Sequence, residues 1–124
     1  MLFRSEIWAA AFVATHLAVL EKNPQVVLSQ SKVLFAVNGV VSHLSTGTYA
    51  LVNGAWADAV KFFQNPADNS RYYGVFRTAA LKAVFPIRSF FGLDWAVSAS
   101  TLRFGQHIEI PDVLMIREIG RAHV

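Results

Sequence analysis

The stretch Val33-Leu34-Phe35-Ala36-Val37-Asn38-Gly39-Val40-Val41-Ser42-His43-Leu44 decides how this chain reads. Two runs of β-branched and apolar residues, a composition that suits a pleated and half-buried surface, flank a two-residue Asn-Gly step. Asn and Gly tolerate positive φ, which a type I′ hairpin turn needs at both central positions. The segment therefore predicts a β-hairpin. Just before it, Val26-Val27-Leu28 has the same texture and predicts a further strand after the polar break Glu21-Lys22-Asn23-Pro24.

Upstream, residues 7–20 form an almost unbroken apolar run, and the alanines among Trp8, Phe12 and Leu17 favour a helix. The run is shorter than the ~17–25 residues that span a bilayer. It reads either as a buried helix or strand, or as the remnant of a longer membrane or re-entrant segment.

Downstream, Ser45-Thr46-Gly47-Thr48 is a turn and Tyr49-Ala50-Leu51-Val52 a short strand. The period then changes: Trp56, Ala59, Val60 and Phe63 fall on one helical face, which Asn53 would cap and Asn65-Pro66 would end. That orientation places Asp58 on the solvent side. Residues 71–77 suggest an aromatic strand, and residues 78–85 suit helix or strand equally. Pro86 interrupts them, and Phe90-Phe91-Gly92 makes an apolar corner. Leu93, Trp95, Val97 and Ala99 alternate with small or polar residues as a half-buried strand does, with Asp94 starting it at the Gly92 turn. A partner strand is expected over about residues 102–110, ended by Pro111-Asp112, with a helix beginning over residues 113–117. The predicted class is α+β, antiparallel and strand-rich.

A chain of 124 residues supports one core. It is 54% hydrophobic and 15% charged, against a usual charged fraction of about 25%. So apolar a chain implies that partner subunits, further segments or a membrane cover part of its surface. The formal charge is +3, and Lys32, Lys61, Arg71, Arg77, Lys82, Arg88 and Arg103 are dispersed singly, so no basic stripe for a phosphate backbone is present. No nucleic-acid partner is expected. Cysteine is absent, which excludes disulfides and thiolate metal sites.

Residues 1–5 and 118–124 read like translations of the short oligonucleotide adapters used in DNA sequencing. The expected organisation is an adapter-derived start (1–5), a hydrophobic segment (6–22), a partial strand-rich domain (23–117) and an adapter-derived end (118–124). The parent protein would then extend beyond one or both ends, as a metagenomic fragment does.

The residues from Val27-Leu28-Ser29-Gln30-Ser31-Lys32 through Val40-Val41 resemble the opening hairpin of the SPFH domain, the band-seven module of stomatins, prohibitins and flotillins, in its bacterial virion-core-like branch. Ser45-Thr46-Gly47-Thr48-Tyr49-Ala50-Leu51 is similar to the glycine turn and strand that follow. Leu102-Arg103-Phe104-Gly105-Gln106-His107-Ile108-Glu109-Ile110-Pro111-Asp112 resembles the later aromatic-glycine strand. The chain departs from the family where a glycine-proline-glycine turn becomes Ser45-Thr46-Gly47 and where Asp-Pro is inverted as Pro111-Asp112. The resemblance covers most of residues 26–117. It implies a non-catalytic scaffold on the cytoplasmic side of a membrane that assembles as a homo-oligomer. The competing expectation is a soluble structural or interaction β-domain, such as a viral or secreted one, without membrane contact.

Candidate chemistry is sparse. His16, His43 and His107 lack any partner at metal-ligand spacing, and His107 is expected to bond Glu109 two residues on along one strand face. Asp58, Asp68, Asp94, Glu109 and Asp112 stand singly. Ser29, Ser31 and Ser42 lack a nucleophile elbow, and the glycines match no phosphate loop. The aromatic set Trp56, Phe62, Phe63, Tyr72, Tyr73, Phe76, Phe85, Phe90, Phe91 and Trp95 reads as core and subunit contacts. No catalytic, cofactor-binding or metal residue is assigned.

Overall fold

A strand covered on both faces need not alternate apolar with polar residues, and the run from Val26 to Val37 does not. The computed structural model describes residues 6–8, 10–84 and 92–119. The described elements run β1 (Glu6–Trp8), α1 (Phe12–Lys22), β2 (Val26–Val37), β3 (Val40–Leu44), α2 (Ala55–Gln64), a 3-10 turn (Ser70–Tyr73), β4 (Val75–Phe76), α3 (Thr78–Val84), α4 (Leu93–Thr101) and β5 (Gln106–Ile119). The α+β class holds.

The sheet is mixed. Its order is β1-β5-β2-β3, and β4 lies beside the start of β2. The longest pairing, β2 with β5, is parallel, running from Val26↔Gln106 to Val37↔Ile119. It corrects the expected all-antiparallel sheet: a parallel pair needs a long crossover, and the helices between β3 and β5 supply it. The two short apolar runs expected as separate strands fuse into β2, continuous through Ser29-Gln30-Ser31-Lys32.

The predicted hairpin forms. Asn38 and Gly39 take φ 54° and 80°, and Val37 pairs with Val40. Ser42 is left over between the pairs Ala36↔Val41 and Phe35↔His43, a bulge in β3. The Gly39 N–H also donates to the Glu118 carboxylate at 3.3 and 3.4 Å. β5 thus continues across the boundary expected between residues 117 and 118.

Several expected elements are corrected. Residues 93–101 are a helix: Val97, Ser98 and Thr101 are its buried residues, so the apparent alternation was helical periodicity broken by small residues. Residues 102–104 close α4 as a turn, and β5 begins only at Gln106. Pro111-Asp112 does not end β5. Both residues bulge outward between Ser31↔Ile110 and Lys32↔Val113, which leaves proline no ladder bond to make. The helix expected over residues 113–117 is strand. The aromatic strand of residues 71–77 is the 3-10 turn plus two-residue β4. Residues 49–52 pair only through Leu51↔His107. Pro86, Phe90, Phe91 and the two termini lie outside the described residues.

α1 packs on one face of the sheet through Phe12, His16 and Leu20, with Phe12 against Val33 and Met115. The run expected as a helix is thus strand at residues 6–8 and helix from Phe12, and α1 is only 11 residues long. Arg77 fastens its end. The guanidinium donates to Leu20 O at 2.8 Å, Asn23 O at 3.1 Å and Val26 O at 3.0 Å, satisfying carbonyls at the negative end of the helix dipole. On the opposite face, Leu51, Phe62 and Leu102 form a second apolar cluster.

Candidate functional site

The face of the sheet opposite α1 carries a sealed polar centre. Arg71, in the 3-10 turn, is fully buried. Its Nη2 donates to Tyr49 O at 2.9 Å and its Nη1 to His107 Nδ1 at 3.1 Å. The guanidinium lies over the Tyr49 ring, 4.5 Å from its centroid, and 5.4 Å from that of Phe62.

His107 has only one tautomer that fits. The Thr101 hydroxyl donates to Ser98 O at 2.8 Å, so at 2.9 Å it accepts from His107 Nε2. His107 is therefore neutral, with its proton on Nε2 and its Nδ1 lone pair facing Arg71. Burial, and secondarily the Arg71 charge, hold its pKa down at about 3. Burial lowers the Arg71 pKa to about 10, opposed by Tyr49, Glu109 and Asp58. Burial also raises the Tyr49 phenol pKa, against the pull of Arg71.

The loop from Gly47 to Tyr49 is pinned from three sides. Arg71 N–H donates to Gly47 O at 3.2 Å. Gln30 Nε2 reaches Thr48 O at 2.8 Å and Tyr49 O at 3.2 Å. The Thr48 hydroxyl donates to Glu109, which also faces Lys32 Nζ at 3.4 Å. The expected His107–Glu109 bond is replaced by these partners. Sequence reasoning left Arg71, Thr101 and Gln30 unassigned, because only the crossover brings them together.

Two serine–histidine pairs lie within hydrogen-bonding distance. His16 Nδ1 and Ser29 Oγ are 2.7 Å apart, but both side chains are sealed. Desolvation lowers the His16 pKa to about 4. Ser42 and His43, 2.9 Å apart, are adjacent exposed residues on β3. Asp58 is not on the solvent side: it is 2% exposed, and its carboxylate accepts the Asn53 N–H at 3.0 and 3.2 Å. Asp94 sits in the first turn of α4 and accepts from Asn69 Nδ2 at 3.2 Å. Among the described residues no group of three or more His, Asp or Glu is placed to hold a metal.

The open features are apolar surfaces. Every residue of β3 is exposed, including Val40 (68%), Val41 (58%) and Leu44 (45%). On α2, Phe62 and Asp58 turn inward, so Trp56 (82% exposed), Val60 and Phe63 point outward. Of the aromatics expected as core and subunit contacts, Phe62 is buried, whereas Trp56, Phe63 and Trp95 are exposed. On α1, Val13 and Leu17 are exposed beside a shallow groove lined by Ala14, Ala18 and Val19. Among the described residues no helix is long and apolar enough to cross a membrane.

Comparison with protein-family models, with curated proteins and with solved structures yields no match to this chain.

Proposed function

We propose that this chain is a non-catalytic scaffold domain that assembles with copies of itself at a membrane surface, as its SPFH-like blocks imply. The observation that carries the reading is the β3 edge. It ends the described sheet order, all five of its residues are exposed and none is an acid, lysine or arginine.

Natural edges are usually blunted by charge, proline or a covering element. β3 has only its bulge. Its sequence Val40-Val41-Ser42-His43-Leu44 also suits pairing with itself: an antiparallel two-fold register sets Ser42 opposite Ser42, Val41 opposite His43 and Val40 opposite Leu44. Apolar residues then meet across both outer pairs. The Arg71–His107–Thr101 and His16–Ser29 arrangements are both buried, which suits a structural role for them.

Size-exclusion chromatography with light scattering tests the assembly. The wild type is expected to run as a dimer or larger species, and Val41→Lys as a monomer that keeps the wild-type circular dichroism spectrum and loses only the concentration-dependent part of its stability. A wild-type monomer at the highest soluble concentration refutes self-assembly and leaves the soluble interaction module as the reading.

A further inference from the structure

The tripeptide Val-Asn-Gly occurs twice, as Val37-Asn38-Gly39 and as Val52-Asn53-Gly54. An asparagine before glycine is open to attack on its side-chain amide by the next backbone nitrogen, because glycine has no Cβ to block the approach. The two copies share this local chemistry and differ in what the fold does with them.

The first copy is held. Asn38 and Gly39 form the β2–β3 turn with φ 54° and 80°, Val37 pairs with Val40 across it, and the Gly39 N–H donates to the Glu118 carboxylate. The second copy has no such restraints. Asn53 and Gly54 are exposed and lie just ahead of α2. Asn53 does not cap the helix as its position in the sequence predicts: the N-cap is Gly54, and no side chain caps the first turn. Neither the Asn53 carboxamide nor the Gly54 N–H has a hydrogen-bond partner among the described residues.

We propose that Asn53-Gly54 is a site of spontaneous deamidation whose product loosens the start of α2. The Gly54 nitrogen attacks Asn53 Cγ. The N–Cγ bond forms, the Cγ–Nδ2 bond breaks, and Nδ2 leaves as ammonia with the proton that Gly54 gives up. Water then opens the five-membered imide at one of its two carbonyls, yielding aspartate or, with the main chain rerouted through Cβ, isoaspartate. At Asn38 the same closure requires rotation about the Asn38 Cα–C bond, which the paired hairpin resists, so the turn must first open and release Glu118.

The consequence for α2 follows from Asp58. Its carboxylate is 2% exposed and accepts the Asn53 N–H at 3.0 and 3.2 Å. Isoaspartate adds one carbon to the main chain between that N–H and Asp58, and either product puts a second carboxylate on residue 53. A buried carboxylate with a displaced donor and a like-charged neighbour destabilises the segment that holds it.

The full chain, incubated in warm, mildly alkaline buffer and digested with trypsin at intervals, tests this. Residues 33–61 form one tryptic peptide that carries both copies, and its fragmentation assigns the mass gain to Asn38 or Asn53. In the folded chain Asn53 should convert at least about tenfold faster than Asn38. In urea the two rates should converge to within about twofold, since only the tripeptide is left to set them. Fully converted wild type should lose about 0.5 M of its urea midpoint. Asn53→Gln keeps the backbone N–H and removes the five-membered route, so the same incubation should leave its midpoint unchanged.

Equal rates at the two sites in the folded chain, or faster conversion at Asn38, overturn the assignment. Complete conversion at residue 53 with an unchanged midpoint, or an equal loss in Asn53→Gln, overturns the effect on α2. The same rate ratio is expected in Val41→Lys, so the inference is independent of β3 pairing. A ratio that collapses in that variant would assign the protection of Asn38 to contact between copies and refute the argument from the turn.

Discussion

The neutral state of His107 makes stability depend on pH in a defined window. In the unfolded chain an ordinary histidine has a pKa near 6.5, whereas the folded value is about 3. Below pH ~6.5 the unfolded chain takes up a proton that the native state refuses, so stability falls as pH falls. The contribution is fully present above the unfolded value and is lost progressively toward the folded one. Between about pH 7.5 and about pH 5 the loss from His107 alone is ~2 kcal/mol, from ~1.4 kcal/mol per pH unit over the ~1.5 units below 6.5. For a domain with a total of ~5–15 kcal/mol this is a substantial share. With a urea slope of ~2 kcal/mol/M it lowers the midpoint by ~1 M. Carboxylates titrate in part of the same range, so the decisive measurement is a difference. His107→Gln offers Arg71 an acceptor and Thr101 a donor without titrating, and its urea midpoint should fall ~1 M less than wild type over this interval. An identical pH dependence in the two proteins refutes the tautomer and burial argument. His16 shifts in the same direction, with a folded value of about 4, and remains in both proteins, so it cancels from the comparison.

Arg77→Ala removes three donors from the carbonyls of Leu20, Asn23 and Val26. It should cost ~2–4 kcal/mol at ~1–3 kcal/mol per acceptor left unmade, with partial rescue by water. Hydrogen exchange at the end of α1 should rise before global unfolding, and unchanged protection there would exclude the capping role. Gly105→Ala places a Cβ against the Gln25 carbonyl and 2.7 Å from Val27 Cγ1. Since backbone must move to admit it, destabilisation of ~1–3 kcal/mol by urea titration is expected, as for overpacking elsewhere. A neutral substitution would mean that the β2–β5 start is looser than its geometry.

The legible parts of the fold were those fixed by local chemistry. Asn38-Gly39 announces its turn because few residue pairs accept two successive positive φ values. The end of α2 follows from Asn65-Pro66, since Asn65 is its C-cap residue. Periodicity failed where small residues blurred it. In α4, alanines and serines lie on every side, so an alternation of Leu93, Trp95, Val97 and Ala99 looked like a strand, whereas the buried set is Val97, Ser98 and Thr101. Proline misled at β5, because it ends a regular strand but fits a bulge on an exposed stretch. The polar centre was invisible for another reason. Arg71, Thr101 and His107 each look ordinary alone, and only a parallel β2–β5 pairing with its crossover brings them within hydrogen-bonding distance.

The orientation of α2 is where local and global demands part. By pattern alone Trp56, Ala59, Val60 and Phe63 should face the core. Instead the core takes Asp58 and Phe62, with Ala59 at the margin. Burying a carboxylate is tolerable because Asp58 receives the Asn53 N–H just ahead of the helix, and partnered burial costs far less than bare burial. Phe62 meanwhile packs with Leu51 and Leu102 beneath the Arg71 guanidinium. The helix could not hold both stripes inside, since they lie on different sides of its circumference. A folded unit that spends its inward face on an aspartate and a single phenylalanine, while leaving a tryptophan almost wholly exposed, has its larger apolar stripe available for contact with something outside the domain.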